Sequence, residues 1–286
     1  MQSLPSIARQ DYPRLEVIIV DNASTDNSIH YITEHFPAMM CISAETNLHY
    51  TKAMNRGIAK SRGGLLLLMN NDVVLDPRFV SKMVAAVLDD LDAGIFGPKI
   101  VFHGTSFIQY AAGRTYLQSQ MVPFSLYDRV QSVDTVSGAV WMIRRPVIEQ
   151  LGLLDEENFT AYYDETDFQA RARKSGIKII YVPSAVASHF DSATFKLWSE
   201  SQVYHFTRGH LSFALIHLSF RETLLRLVKA LGASAIDIVV GRATGRRALL
   251  ARARLFALLR SLENLPKTIR RRVQLRRSLK PPGDTA

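Results

Sequence analysis

Leu65-Leu66-Leu67-Leu68-Met69 is an unbroken apolar run that stops abruptly at Asn70-Asn71-Asp72. A run this short, continuous rather than alternating, is the pattern of a central parallel strand buried on both faces. Upstream, Leu15–Val20 is a β-branched run that ends in Asp21-Asn22-Ala23-Ser24, again a strand followed by a turn. A helix is expected over about Asn27–His35, capped by Ser24 or Asp26, and another over Thr51–Lys60, closed by Arg62-Gly63-Gly64. Downstream, Pro77 opens a helix that runs to about Asp90, with Asp76 as its N-cap. Strands alternating with helices predict an α/β fold with parallel pairing. Ligands of such sheets bind beyond the carboxyl ends of the strands, where Asp21 and Asp72 both stand.

Further along, Gly94–Val136 reads as irregular strands and loops, and Val133–Ile143 as a strand interrupted by Gly138. Asp164–Lys174 reads as a helix closed by Gly176, with a strand over Ile177–Val182, and from about Ala193 the pattern turns to long helices. The charge divides with it. Residues 1–207 hold 18 Lys and Arg against 22 Asp and Glu, whereas residues 208–286 hold 17 against 4. A mildly acidic body therefore carries a strongly basic tail, and the two are expected to serve different purposes. With 47% hydrophobic and 21% charged residues the chain is globular rather than disordered. Cys41 is the only cysteine, which excludes an internal disulfide and multi-cysteine zinc and suits a reducing compartment. Met1–Gln10 has no signal-peptide pattern, and the apolar runs Leu211–Phe220 and Thr223–Val240 are respectively too short and too charged to span a bilayer.

The chemistry-bearing residues each have an ordinary alternative. Asp21 and Asp72 could be turn formers, yet Asp72 could equally hold a hard cation such as Mg²⁺ or Mn²⁺, whose remaining ligands a diphosphate would supply. Asp164-Glu165-Thr166-Asp167 opens a helix, where acidic residues suit the dipole. Three carboxylates in that turn exceed what capping needs, and their mutual repulsion could raise the pKa of one into the range of a general base. His189 could be an ordinary polar residue or a ligand, and Arg144-Arg145 a solvated pair.

Taken together, Asp21-Asn22-Ala23-Ser24, Asn70-Asn71-Asp72, Ser137–Arg145, Leu151–Glu156, Tyr163–Phe168, Arg171-Ala172-Arg173 and Gly176 resemble the family 2 glycosyltransferases of the GT-A fold, in order from about Leu4 to Asp191. Within that family the pattern is most similar to bacterial rhamnosyltransferase-like enzymes of cell-surface polysaccharide synthesis. The resemblance implies a GT-A domain over residues 1–192, with a mostly parallel sheet flanked by helices, and a helical basic extension over 193–286. It implies a donor-nucleotide pocket at Asp21, Asn22, Asn47 and Asn70, a Mg²⁺ or Mn²⁺ site at Asp72 and His189, and a base at Glu165. Asp164 remains a candidate, because the family's Glu-Asp pair is reversed here, and Asp167 of the same acidic cluster is a further one. It also implies an opening strand, which would lie ahead of Met1. The expected reaction is inverting transfer of a rhamnose-like sugar from a nucleotide-diphosphate donor to a saccharide or lipid-linked hydroxyl.

A nucleotidyltransferase would need a glycine-rich phosphate loop near the amino terminus, and a glycosidase would leave Asp72 without a role. The basic tail shows no nucleic-acid module, so no nucleic acid is expected as a partner. An inactive fragment acting as a partner, membrane-binding or nucleic-acid-binding protein is the alternative. On a helical wheel Arg246–Leu262 sets Leu255, Phe256, Leu258, Leu259 and Leu262 against Arg246, Arg247, Arg254 and Arg260. Lys267, Arg270, Arg271, Arg272, Arg276, Arg277 and Lys280 continue the charge. This pattern predicts a peripheral anchor to anionic lipid at the inner face of the cytoplasmic membrane.

Overall fold

The computed structural model describes residues 2–190, 199–241 and 245–278. The chain divides into two compact units. One comprises Met1–Leu48, Lys52–Leu153 and Ala172–Ala193, the other His49–Thr51, Leu154–Arg171 and Thr194–Ala286. The expected cut at 192/193, the Arg246 side chain and Lys280 lie outside the described residues.

The first unit opens with α1 (Ser3–Ala8), β1 (Ile18–Asp21), α2 (Ser28–His35) and β2 (Met40–Ser43). β1 and β2 pair in parallel as a sheet of their own. After α3 (His49–Lys60) come β3 (Leu65–Met69), β4 (Val73–Leu75), α4 (Phe79–Asp89), β5 (Ala93–Phe102), β6 (Ile108–Ala111), β7 (Arg114–Thr115), β8 (Gln131–Ser132) and β9 (Val140–Arg144). α5 (Arg145–Leu151) and β10 (Lys178–His189) follow, and α6 (Asp164–Lys174) lies between them in the chain, with Asp164–Arg171 in the second unit and only its end in the first. The larger sheet runs β3-β9-β5-β10-β4, with β6 on β5, β7 on β6 and β8 on β10. Phe79, Met83, Phe96, Ile100, Val140 and Ala187 anchor its core.

The α/β architecture with flanking helices is as expected, but the strand pairing is not. β3 pairs antiparallel with β9, and alternate residues are buried, so the leucine run is not a central parallel strand. The central strand is β5. All ten of its residues are buried, and it lies parallel to β10 and antiparallel to β9. It falls in the stretch expected to be irregular, because Gly94, Gly97, Pro98 and Lys99 disguise it. A Cβ at Gly97 would stand 2.3 Å from Val136 Cβ, so only glycine fits. Pro98 donates no hydrogen bond, and β10 breaks register opposite it, between Val182 and Val186. Lys99 is fully buried yet paired with Asp128 and with Phe124 O. The strand expected over Val133–Ile143 is confined to Val140 onward. Asp76 caps α4 through no side-chain bond; Arg78 is the N-cap residue.

Arg144 and Arg145 are not a solvated pair. Arg144 donates to Ala93 O and to Val87 O and Asp90 O at the end of α4, and Arg145 to Ser61 O and Gly63 O after α3. Arg144 thereby satisfies carbonyls that the end of α4 leaves orphaned, and Arg145 satisfies those of the turn after α3.

The second unit is helical: α7 (Glu200–His217), α8 (Phe220–Gly241), α9 (Gly245–Glu263) and α10 (Leu265–Ser278). Phe159, Ile216 and Leu275 form one of its cores. Its helices use some of the charge expected to be free. Arg271 approaches Asp155 at 3.2 Å, Arg272 donates to Leu215 O, and Arg254 is half-buried. Leu258, expected on the outer apolar side, is buried, whereas Leu255, Phe256, Leu259 and Leu262 are exposed. Among the described residues no helix is long and apolar enough to cross a membrane.

Candidate active site

The first unit presents its polar residues at strand ends. Asp21 is the last residue of β1 and is buried; its Oδ2 accepts from Ser24 N at 3.2 Å across a turn in which Ala23 takes φ 62°. Asn22 Oδ1 accepts from Leu48 N at 2.6 Å, which ties the β1 turn to the loop that carries Asn47. Asn70, just past β3, donates its N–H to Ala139 O, while its Oδ1 is buried with no hydrogen-bond partner among the described residues.

Asp72 and His189 come from sequence positions far apart and meet because β4 pairs antiparallel with β10, placing His189 opposite Val73. Phe190 N donates to Asp72 O, and His189 Nε2 lies 3.2 Å from Asp72 Oδ1. Nδ1 of the same ring lies 2.8 Å from Gln109 Oε1. With the amide oxygen set opposite it, Nδ1 is the nitrogen placed to donate, and in that tautomer Nε2 faces Asp72 bare. A bare nitrogen and a carboxylate oxygen at that separation suit a shared cation. These residues therefore fit a divalent ion. Among the described residues no group of three or more His, Cys, Asp or Glu side chains is arranged to hold a metal ion. Most of the ion's shell would thus be supplied by diphosphate oxygens and water.

The acidic cluster belongs to the second unit and fills the first turn of α6. Its three carboxylates are not equivalent. Asp167 is saturated: Oδ2 accepts from Arg171 Nε at 2.9 Å and Oδ1 lies 2.7 Å from His217 Nε2. Burial alone would raise its carboxyl, but the Arg171 charge and the His217 bond hold it below the usual range. Asp164 is 2% exposed, and its Oδ2 is buried with no hydrogen-bond partner among the described residues. Burial, then the Glu165 charge, pushes it well above the usual carboxylate range. Glu165 is half-buried and accepts from the Thr166 hydroxyl at 3.1 Å; burial raises it, and backbone and hydroxyl donors offset part of the rise. Asp164 is thus the carboxyl whose surroundings most resist ionisation, and Glu165 is the neighbour whose rise is partly offset by donors to its charge.

The turn that presents this pair is strained. Tyr162 and Tyr163 both take positive φ, 62° and 66°, immediately before Asp164. Gly209 of α7 packs against it so closely that a Cβ would stand 2.7 Å from Tyr162 O. Below it, Asp155 accepts from Asn158 N and Nδ2, and Asn158 Oδ1 accepts from Asn264 and Thr268. Gln109, His217 and Gly209 had no signal in the sequence, because each acts on a partner remote along the chain.

The family model for glycosyl transferase family 2 matches residues 2–152. An N-acetylglucosaminyl-diphospho-decaprenol L-rhamnosyltransferase of Mycobacterium tuberculosis is 26% identical over 204 residues, covering 61% of this chain and 66% of that protein. A probable glycosyltransferase of Bacillus subtilis is 26% identical over 69% of this chain and 49% of its own length. The chain thus spans less than two thirds of these relatives. Among solved structures, GalNAc-T7 with UDP, GalNAc and Mn²⁺ superposes with TM-score 0.60 at 15% identity, over 89% of this chain and 51% of that one. A mannosyltransferase of Pyrobaculum calidifontis in complex with GDP-Man and Mn²⁺ gives 0.55 at 16% identity, over 91% and 82%. These likenesses establish the GT-A fold.

Proposed function

Since the chain belongs to glycosyl transferase family 2, we propose that it transfers a sugar from a nucleotide-diphosphate donor to an acceptor hydroxyl with inversion at the anomeric carbon. The observation that carries the reading is the divided acidic turn. Asp167 is locked by Arg171 and His217, Asp164 is buried with one oxygen unpartnered among the described residues and its carboxyl pushed well up, and Glu165 between them is half-buried, raised by burial with donors offsetting part of the rise. Glu165 takes the proton of the acceptor hydroxyl as that oxygen bonds to the anomeric carbon. The bond from that carbon to the diphosphate breaks, and its electron pair leaves on the phosphate oxygen. Asp21, Asn22, Asn47 and Asn70 hold the donor nucleotide, and Asp72 with His189 Nε2 holds a Mg²⁺ or Mn²⁺ ion. When bound, such an ion stabilises the charge that gathers on the leaving diphosphate.

The family resemblance and the decaprenol-linked substrate in the mycobacterial relative's name favour a rhamnose-like donor and a lipid-linked acceptor in cell-surface polysaccharide synthesis. Residues 1–192 form the catalytic domain in this reading, and residues 193–286 the extension. A lipid acceptor fits a chain that works peripherally at the cytoplasmic face of the membrane. The outer faces of the second unit's helices support this. Phe220, Leu224, Leu225, Val228, Leu231 and Ile236 of α8 are exposed, Phe220 by 81%, and so are Ile269 and Val273 of α10. Lys229, Lys267, Arg270, Arg276 and Arg277 stand exposed among them. Exposed apolar side chains interleaved with cations suit an anionic lipid surface, each cation near it contributing about 1 kcal/mol.

The reaction is tested by incubating the chain with a panel of nucleotide sugars, Mn²⁺ and polyprenyl-diphosphate saccharides. Released nucleoside diphosphate and a product of opposite anomeric configuration are expected; hydrolysis without transfer, or retention, contradicts the reading. Co-sedimentation with vesicles tests the surface. Binding to phosphatidylglycerol vesicles at low salt, lost at high salt, is expected, and equal binding to neutral vesicles contradicts the charge argument.

A further inference from the structure

β6 pairs with β5 antiparallel, Val101 facing Ile108 and Ile100 facing Tyr110, so the register shifts between them and Gln109 is the extra residue of a bulge. Bulges re-aim a side chain that a regular strand would direct elsewhere. Here the side chain is buried, 8% exposed, and its Oε1 lies 2.8 Å from His189 Nδ1. The bulge is held by its own backbone, since Gln109 O accepts from Tyr116 N at 2.7 Å. The backbone of His189 is fixed as well: its carbonyl accepts from His103 N at 3.1 Å, and the next residue, Phe190, stacks on the His103 ring with centroids 3.6 Å apart. With the backbone held in this way, the Gln109 amide is the side-chain group that meets Nδ1.

We propose that Gln109 is a positioning residue that locks His189 in the Nδ1–H tautomer and directs its bare Nε2, with Asp72, at a divalent cation. The inference rests on the reading of Asp72 and His189 as the cation site. An outer partner of this kind raises the basicity of the ligating nitrogen and holds the ring in place. Gln109→Leu removes the acceptor at nearly the same volume, whereas Gln109→Glu keeps an acceptor oxygen opposite Nδ1.

Two measurements on the full chain separate the parts. Long-range proton–nitrogen spectra of the metal-free protein, taken with imidazoles neutral and assigned with His189→Gln, read the tautomer directly. Mn²⁺ titrations followed by electron paramagnetic resonance, with UDP and GDP as probes, read affinity. Wild type and Gln109→Glu are expected to show Nδ1–H, and Gln109→Leu a shift toward Nε2–H with Mn²⁺ affinity about 10–100-fold weaker. Wild type in the Nε2–H form, or Gln109→Leu binding Mn²⁺ as tightly as wild type, overturns the role of Gln109 alone. A wild type that binds no Mn²⁺ with either nucleotide overturns the cation site itself.

Discussion

The strand-borne pair Asp72–His189 and the helix-borne pair Asp164–Glu165 are built on opposite principles. The first is held from several sides: β4 pairs with β10, Phe190 N bonds Asp72 O, and Gln109 takes the far nitrogen of the ring. The second sits after two residues of positive φ, with one oxygen of Asp164 left unsatisfied. Holding a ligand rewards fixed geometry, whereas taking a proton requires a carboxylate whose environment resists its charge. A neighbour three positions on shows that burial alone does not do this. Asp167 is as buried as Asp164, but Arg171 and His217 hold it below the usual range.

The contrast is broken most forcefully at Glu165. Glu165→Gln keeps the shape and loses the base, so transfer is expected to fall about 10²–10⁴-fold while donor affinity stays near wild type. Rates near wild type in a coupled diphosphate-release assay would move the role to Asp164. Gly209→Ala probes the strained turn. Its methyl group meets the Tyr162 carbonyl, and overpacking of that kind costs about 1–3 kcal/mol. A lowered melting temperature together with slower transfer is expected; an unchanged melting temperature would mean that the turn yields freely.

The smallest effect concerns Asp164. Its carboxyl is raised in the fold, so its favourable contribution is complete below the unfolded value and is lost as pH rises through the folded one. Asp164→Asn carries no such loss. The variant is therefore expected to melt higher than wild type at pH 7, with the gap closing toward pH 4, as calorimetric scans across that range would show. A gap that widens on acidification would mean that the buried carboxyl is charged and stabilised.

Much of this was legible locally. The leucine run gave a strand and its polar end, and the acidic turn of α6 and the histidine closing β10 stood out by residue type alone. The reading failed where meaning depends on a distant partner. β5 was obscured because Gly94 and Gly97 make room for side chains of Val147, Ile177 and Val136, and because Lys99 finds Asp128. The parallel pairing expected of β3 proved antiparallel because its neighbour is β9, more than seventy residues on. The tail's cations were read as a uniform free face, yet Arg271 and Arg272 turn inward to Asp155 and Leu215 O, groups that no helical wheel contains.

The division of labour between the two pairs is tested most directly by calorimetric titration of the wild type, Asp72→Asn and Glu165→Gln with UDP, GDP and dTDP, each with Mn²⁺ and with chelator. The account expects one nucleotide to bind wild type and Glu165→Gln alike in the presence of Mn²⁺, and to bind Asp72→Asn weakly or not at all. Binding that ignores Mn²⁺, or that Glu165→Gln loses and Asp72→Asn keeps, would contradict it.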